Sequence, residues 1–311
     1  MTLHRLDIQR QNLHGHWSKD LAPVLTIDPG DAVDFATLDA AWSVRKPEAP
    51  GRPRVQFEPW DPELDNGHAL TGPVFVRGAR PGMMLGIAIE EIVTADWGWN
   101  GGGGDWLEED GQPLGDLGEM HWNLWQLDMT RLVARNQSGI CVPMRPFPGV
   151  MGMPSAEPGI HSTRPPRVNG GNIDCRELVT GSTLYLPVAV DGGLFSTGDG
   201  HACQADGEVS STAIECGMER ALLRFTLHED SPINTPWAET PAGTLTLGFH
   251  RDLQQAANAA LAAMVTLLAA RLSVHRNEAL ALASLTVDLR VTQIVNHVRG
   301  VHALLPPGTY W

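Results

Sequence analysis

Short apolar runs broken by turn-forming residues dominate roughly the first 230 positions of the chain. Residues 24–27 run into Asp-Pro-Gly and residues 74–76 follow Gly-Pro; residues 85–89 and 184–190 repeat the pattern. β-Branched runs set between glycine and proline read as strands. Several in succession predict a sandwich or a barrel. The pattern changes past Pro241. Residues 251–272, RDLQQAANAALAAMVTLLAARL, are rich in Ala and Leu, lack Gly and Pro, and predict a helix. Ser273 is a candidate cap for a second helix running from near Asn277 towards Arg290. The tail 304–311 contains Pro-Pro-Gly and is expected to be extended. The expected architecture is mainly β, with a β-rich region 1–240 and a helical or α+β portion 241–311 packed on it in one compact unit. No internal repeat at a fixed period interrupts this reading.

One segment breaks the strand pattern. Residues 97–106 read WGWNGGGGDW. A run of glycines costs too much backbone entropy for an element interior, so a surface loop over packed tryptophans is expected. The alternative is a mobile flap in which Trp97, Trp99 or Trp106 excludes water from a site.

Composition narrows the partners. The chain has 311 residues, enough for a sizeable core. A net charge of −14 argues against nucleic acid and anionic membrane surfaces. A small neutral substrate agrees with it. No uninterrupted apolar run of about 18 residues occurs, so no transmembrane helix is expected. The opening MTLHRLDIQRQNLHG lacks a basic flank before an apolar core, so no secretory leader is expected. Cys141, Cys175, Cys203 and Cys216 show no CxxC spacing. A reduced, cytoplasmic protein is the economical expectation. Lys19 and Lys46 are the only lysines.

Candidate chemistry concentrates in residues 198–215, GDGHACQADGEVSSTAIE. In extended chain, residues two apart share a face. Asp199 then points with His201, and Gln204 with Asp206 and Glu208. Carboxylates with imidazole suit zinc, nickel or manganese. Carboxylates clustered without lysine repel one another until a cation or a proton intervenes. A solvated acidic turn built on Gly198, Gly200 and Gly207 fits the same residues, and DGE also suits a calcium loop. A second segment, residues 144–178, places Asn172 and Asp174 after Gly170-Gly171. They can be a substrate donor and a metal ligand, or a turn capping its own backbone. His14 with His16, and His68, are histidines that sequence alone leaves ambiguous. No GxSxG elbow and no P-loop are present. The acidic surroundings of Cys175 and Cys203 disfavour a thiolate nucleophile.

These segments resemble the acetamidase/formamidase family. The resemblance is carried by RPFPGVMGMPSAEPG, HSTRPPRVNGGNIDCREL, GSTLYLPVAVDGGLFSTGDGHACQADGE and SSTAIE. It extends upstream through PVLTIDPGD and LTGPVFVRGARPGMML, and downstream through VDLRVTQIVNHVRGVHALLP. It implies hydrolysis of formamide, acetamide or similar amides to the acid and ammonia. The implied fold is a jelly-roll-like sandwich with a further β-barrel-like portion and smaller α/β or helical elements. The family's GGN-x-D falls on Gly170, Gly171, Asn172 and Asp174, its GDGH on residues 198–201, and its Q-x-DGE on Gln204, Asp206, Gly207 and Glu208. Ala205 stands where glycine is usual, which brings strain if that position needs a positive φ. Cys203 stands where a smaller residue is usual. His161 points to the acetamidase side. Two other amidase classes use Ser–Ser–Lys or Glu–Lys–Cys; Lys19 and Lys46 lie in neither motif. The resulting expectation makes Asp174, Asp199 and His201 ligands of a divalent metal, with zinc preferred and calcium or another divalent ion as competitors. Glu208 and Asp206 are the expected catalytic acids and bases. Asn172, His161 and Gln204 are the expected substrate-binding residues, in a homo-oligomer acting on a small neutral amide. A calcium- or carbohydrate-binding sandwich without catalysis, or a hydrolase of a larger amide, is the competing reading.

Overall fold

The computed structural model describes residues 1–104 and 117–309. Among them, two sheets carry most of the chain. The first runs in the order Leu3–Leu6, Ala32–Thr37, Met218–His228, Met84–Thr94, Thr183–Pro187, Trp237–Thr240, Gly243–His250, Arg299–Leu305 and Asp288–Gln293. The second runs Cys141–Pro143, Val133–Asn136, His121–Asp128, Trp97–Gly102, Glu215–Cys216, Phe195–His201, Phe147–Gly152 and Gly170–Asn172. Leu70–Val76 also pairs with Phe195–His201 and brings in the short strands Leu13–His14 and Leu25–Ile27.

The sheets bury their facing apolar sides against each other. Phe195 of the second sheet meets Phe225 and Phe35 of the first edge to face, with ring centroids 5.1 and 6.1 Å away. Leu85, Ile87, Leu184, Leu223, Met151 and Val74 fill the same core. In Met84–Thr94 the apolar alternation breaks at Glu90 and Glu91, where the register against Met218–His228 shifts. A bulge there turns Glu90 outward to an ion pair with Arg224.

Helix α1, Leu253–Leu272, packs on the end of the first sheet through Ala256, Ala260, Met264, Leu267 and Leu268. Asp252 caps it by accepting the Gln255 N–H at 2.9 Å. By length and composition it is apolar enough to cross a membrane, with a mean hydropathy of 1.4, although no such span was expected. The interspersed Ala residues keep any strictly apolar run short, while their face is buried on the sheet.

Several expectations need correction. Ser273 does not cap the second helix; at φ 54° it ends α1 in the left-handed conformation. Helix α2 spans Arg276–Thr286, with His275 as its N-cap, and stops short of Arg290. The chain enters a strand at Asp288 because it pairs with Arg299–Leu305. The strand expected over 184–190 ends at Pro187. The glycine-rich segment is not wholly a loop: Trp97–Gly102 is a strand paired with His121–Asp128. The Trp122 ring lies over Gly101, where an added Cβ would meet it at 2.7 Å. Absence of a side chain is what permits that packing. Asp105 and Trp106 fall outside the described residues, as do the last two residues of the tail. Residue 240 lies at the hairpin joining Trp237–Thr240 to Gly243–His250, where one sheet runs through both the 1–240 and 241–311 portions.

Candidate active site

The site is built on three neighbouring strands of the second sheet. Phe195–His201 carries Asp199 and His201 two positions apart, and both side chains turn the same way. Glu215 lies directly opposite His201 across the ladder. On the other side, Phe147–Gly152 brings Gly149 against the pair. A Cβ on Gly149 would lie 2.7 Å from both Asp199 Oδ2 and His201 Cε1, so glycine alone leaves room for the two functional groups. The carbonyl of Gly149 also accepts the N–H of Ile173 at 3.0 Å and of Asp174 at 3.2 Å. That contact draws Asp174 to the same point.

Three acids here hold a left-handed backbone: Asp174 at φ 53°, Asp199 at φ 56° and Glu208 at φ 45°. This conformation costs a non-glycine residue roughly 1–2 kcal/mol. Asp tolerates it better than most; Glu lacks that relief. Such strain persists where surrounding structure fixes the residue, and it clusters at functional sites. Ala205, by contrast, does not adopt a positive φ, so alanine there brings none of the strain its position suggested.

His201 is buried and its two nitrogens have different roles. Gln204 donates from Nε2 to the Asp174 carbonyl at 2.7 Å, which fixes the amide. Its Oε1 then faces His201 Nδ1 at 2.8 Å, so Nδ1 carries the proton and donates. The other nitrogen, Nε2, faces Asp199 Oδ2 at 3.4 Å and Glu215 Oε2 at 3.3 Å. Phe147 closes the ring face edge-on at 5.1 Å. Gln204 therefore acts as a positioning group behind the imidazole.

Two overlapping sets of donors meet at His201: Asp174, Asp199 and His201, and His201, Glu208 and Glu215, the ligand atoms of each set lying within 4.8 Å of one another and the residues buried. Asn172 Oδ1, Asp174 Oδ1, Asp199 Oδ1, Glu208 Oε2 and Glu215 Oε2 are all buried without a hydrogen-bond partner. All five are acceptors. A buried acceptor left unmatched costs on the order of 1–3 kcal/mol, and more when charged. One imidazole cannot match four carboxylates, so the donor set fits a bound cation. Burial, together with neighbouring acids, pushes the Asp174 and Glu208 carboxyls well above the ordinary range. Burial likewise pushes Glu215 up to about 7. Asp199 is held below the ordinary range because His201 and His68 outweigh its burial. Glu215 and Asp199 outweigh burial at His201 and raise it.

The cluster forms the floor of a cleft of about 520 Å³. Asn172, Asp199, Glu208 and Glu215 line it, under walls that include Trp42, Trp60 and His68. The Thr163 hydroxyl meets the His68 backbone N–H at 2.9 Å and its ring Nδ1 at 2.8 Å. Asn296, from the C-terminal portion, reaches Asp174 Oδ2 through its amide at 3.2 Å.

The structure thus gathers Asn172, Asp174, Asp199, His201, Gln204 and Glu208 around one point. It does not gather Asp206 or His161. Residues 204–208 turn rather than extend, so the shared face expected of Gln204, Asp206 and Glu208 does not form. Asp206 faces away, where its Oδ2 accepts the Arg290 Nε at 2.7 Å. His161 pairs through its backbone with Trp17 and is not among the residues lining the cleft. The ring of His14 is buried against Ser196 Oγ at 2.9 Å and the His16 carbonyl at 2.7 Å. Glu215 and Asn296 are the residues that reading along the chain did not single out, and His68, ambiguous in sequence, lines the cleft. Glu215 ends the SSTAIE motif, but its cross-strand pairing with His201 carries no local signal.

The acetamidase/formamidase family model matches residues 2–160 and 156–235. A formamidase from Methylophilus methylotrophus is 27% identical over 264 residues, covering 67% of this chain and 64% of its own length. An acetamidase from Mycolicibacterium smegmatis is 25% identical over 267 residues, covering 66% of this chain and 63% of its own. The chain therefore spans a little under two thirds of these two relatives. The solved acetamidase of Bacillus halodurans superposes with a TM-score of 0.84 at 28% identity, covering 97% of each chain. A γ-lactamase from Delftia acidovorans shares the fold at 20% identity, with a TM-score of 0.62. By its sequence motifs, its fold and the extent of the family match, the chain belongs to the acetamidase/formamidase family.

Proposed function

We propose that the chain hydrolyses a short carboxamide to its carboxylate and ammonia at the buried carboxylate–histidine cluster. The observation that carries this reading is that four buried carboxylates, each with an unmatched oxygen, gather around His201 at the floor of an accessible cleft. Kinship with proteins named formamidase and acetamidase supports the substrate class.

Asp174, Asp199 and His201 would hold a divalent cation, with Glu215 as a further donor. A nitrogen donor among carboxylates favours zinc over calcium, which prefers oxygen alone. When bound, the cation would act as a Lewis acid toward the amide carbonyl and acidify the attacking water. The chain's own groups do the rest. Glu208 takes a proton from the attacking water and returns it to the departing nitrogen. Asn172 Oδ1 accepts a substrate amide N–H and orients it. Gln204 keeps the His201 proton on Nδ1.

Other amidase chemistries find little support. Lys19 and Lys46 are exposed, and neither lines the cleft. Cys175 is buried, and that burial pushes its thiol up to about 12, away from the thiolate.

The test is a purified preparation with its metal quantified, assayed for ammonia across formamide, acetamide and propionamide. Chelation is expected to abolish activity, and thiol alkylation to leave most of it. Activity that survives chelation but not alkylation would sink the mechanism. Metal-loaded protein that binds ligands yet releases no ammonia would favour a non-catalytic binding module.

A further inference from the structure

One imidazole of the cleft stands outside the carboxylate cluster. His68 lines the cleft together with Asp199, Glu208 and Glu215, yet it belongs to neither set of donors that meet at His201. Asp199 and His68 still act on one another electrostatically, so the ring stands near the floor without joining it.

The chain at His68 is pinned by its neighbours. The carbonyl of Gly67 accepts the Trp42 Nε1–H at 2.8 Å. A Cβ on Gly67 would overlap both the Gly15 carbonyl oxygen and Thr163 Oγ1, so glycine lets this segment pack directly on Thr163. Thr163 is fully buried, and its hydroxyl reaches two atoms of His68. Oγ1 accepts the His68 backbone N–H at 2.9 Å. Its own hydrogen then has one acceptor among the described residues, His68 Nδ1 at 2.8 Å. A proton on Nδ1 would leave that buried hydroxyl hydrogen unmatched. The hydroxyl therefore donates, Nδ1 accepts, and the ring proton sits on Nε2. Burial pushes the imidazole below its ordinary range and keeps it neutral.

Among the described residues no protein group takes the Nε2 hydrogen. This nitrogen is also accessible, unlike the unmatched oxygens of the floor. The two imidazoles are thus set in opposite tautomers. Gln204 leaves His201 Nε2 bare, with a lone pair for a cation. Thr163 leaves His68 with a hydrogen to offer the cleft. The unmatched groups of the floor and Asn172 Oδ1 are acceptors, so His68 supplies the complementary donor. A primary amide has both halves of the match: N–H groups for Asn172 and a carbonyl oxygen for His68.

Building on the amidase reading above, we infer that His68 is a further catalytic residue whose Nε2–H donates to the carbonyl oxygen of the amide, with Thr163 as the positioning residue that keeps the proton on Nε2. As the water oxygen bonds to the carbonyl carbon, the C=O π pair moves onto that oxygen, and the hydrogen bond strengthens with the growing charge. The pair returns as the C–N bond breaks, and the nitrogen leaves as ammonia with the proton carried by Glu208. His68 neither gains nor loses a proton.

The experiment uses the holoenzyme with its metal quantified and acetamide as substrate. His68→Phe keeps a planar ring and removes the donor. Its kcat and kcat/KM are expected to fall together, on the order of 100- to 1,000-fold, because the lost interaction is strongest in the transition state. Metal content should stay unchanged. Thr163→Val is expected to lower kcat by less, and Thr163→Ser to restore it. Nitrogen NMR of labelled wild-type protein at neutral pH reads the tautomer directly, with the proton expected on Nε2 and a mixture of tautomers in Thr163→Val. Unchanged kcat in His68→Phe would overturn the inference. So would loss of metal, which would make His68 a ligand, or a wild-type ring protonated on Nδ1. Should His68→Phe fail to fold, the wild-type spectrum and the Thr163 variants decide. Should the wild-type protein release no ammonia, the amidase reading fails by itself and acetamide persists in the tube. Its titration then decides about His68: a moved Nε2–H resonance supports the amide contact, and an unmoved one overturns it.

Discussion

Two acidic clusters in this protein draw on residues close together in the chain, and they are treated in opposite ways. Glu177 and Asp206 face an arginine network. Arg290 Nη1 donates to Glu177 Oε1 at 2.8 Å and its Nε to Asp206 Oδ2 at 2.7 Å, while Arg145 also pairs with Glu177. Arg145 and Arg290 outweigh burial and hold the Glu177 carboxyl below its ordinary range. Asp174 and Glu208 are the chain neighbours of these two residues, yet they turn into the other cluster with Asp199 and Glu215. There the ion pairs among described residues offer His201 as the partner. Asp206 keeps one unmatched oxygen; the other cluster keeps at least one on each of its four acids. The first arrangement is a structural network answered by arginine. The second is left incomplete by the chain, and incompleteness at a cleft floor is what supports it as the proposed active site.

The comparison breaks most sharply at Glu208. Glu208→Gln keeps shape and removes the proposed base, and turnover is expected to fall on the order of 100- to 10,000-fold. Ammonia release and metal content measured on one preparation check this. Full activity with full metal would remove Glu208 from the mechanism; loss of metal would make it a ligand instead.

A buried histidine without a carboxylate partner gives the next effect. Burial pushes His14 down to about 4. Unfolded chains take up its proton near pH 6.5, while the folded protein resists until about 4. Its contribution is therefore intact above pH 6.5 and is lost as pH falls towards 4, by about 3 kcal/mol in total. Urea unfolding at stepped pH is expected to show this slope, and His14→Gln to reduce it, with the remainder carried by His302, which burial also pushes down to about 4. An undiminished slope in the variant would place its origin away from His14.

Gln204 sharpens the contrast from behind the imidazole. Gln204→Leu removes the acceptor for His201 Nδ1, and metal affinity is expected to weaken about 10- to 100-fold. Competition with a coloured chelator measures it; an unchanged affinity would show that the ring needs no such support.

Arg290→Met probes the first network. It should destabilise the fold by about 1–2 kcal/mol, less than a fully buried pair would cost, because the Arg290 side chain is 28% exposed. Metal content should not change. Loss of metal in this variant would mean that the two clusters are one.

Much of the architecture was legible along the chain because its signals are local. Apolar runs between Gly and Pro specify the strand regions, and the Ala/Leu periodicity specifies α1. Where pairing partners decide, local signals failed. Residues 288–290 look like helix but pair with Arg299–Leu305, and glycines 101 and 102 look like loop but lie in a strand. The site divides in the same way. Asp199 and His201 share a face because strand period dictates it. Asp206 leaves the face of Gln204 and Glu208 because Arg290 lies on the other side and Glu208 takes a left-handed turn.

By itself, then, the sequence determined that the chain is β-rich, acidic and short of lysine, and that Asp174, Asp199, His201 and Glu208 lie on segments able to bear chemistry. Tertiary structure alone decided which acids remain unmatched. It placed Glu215 across from His201, brought Asn296 from over a hundred residues away, and set arginines behind Glu177 but not behind Glu208. The reason is physical. The type of a side chain is fixed by the sequence, but whether its charge is answered depends on neighbours that are distant in the chain.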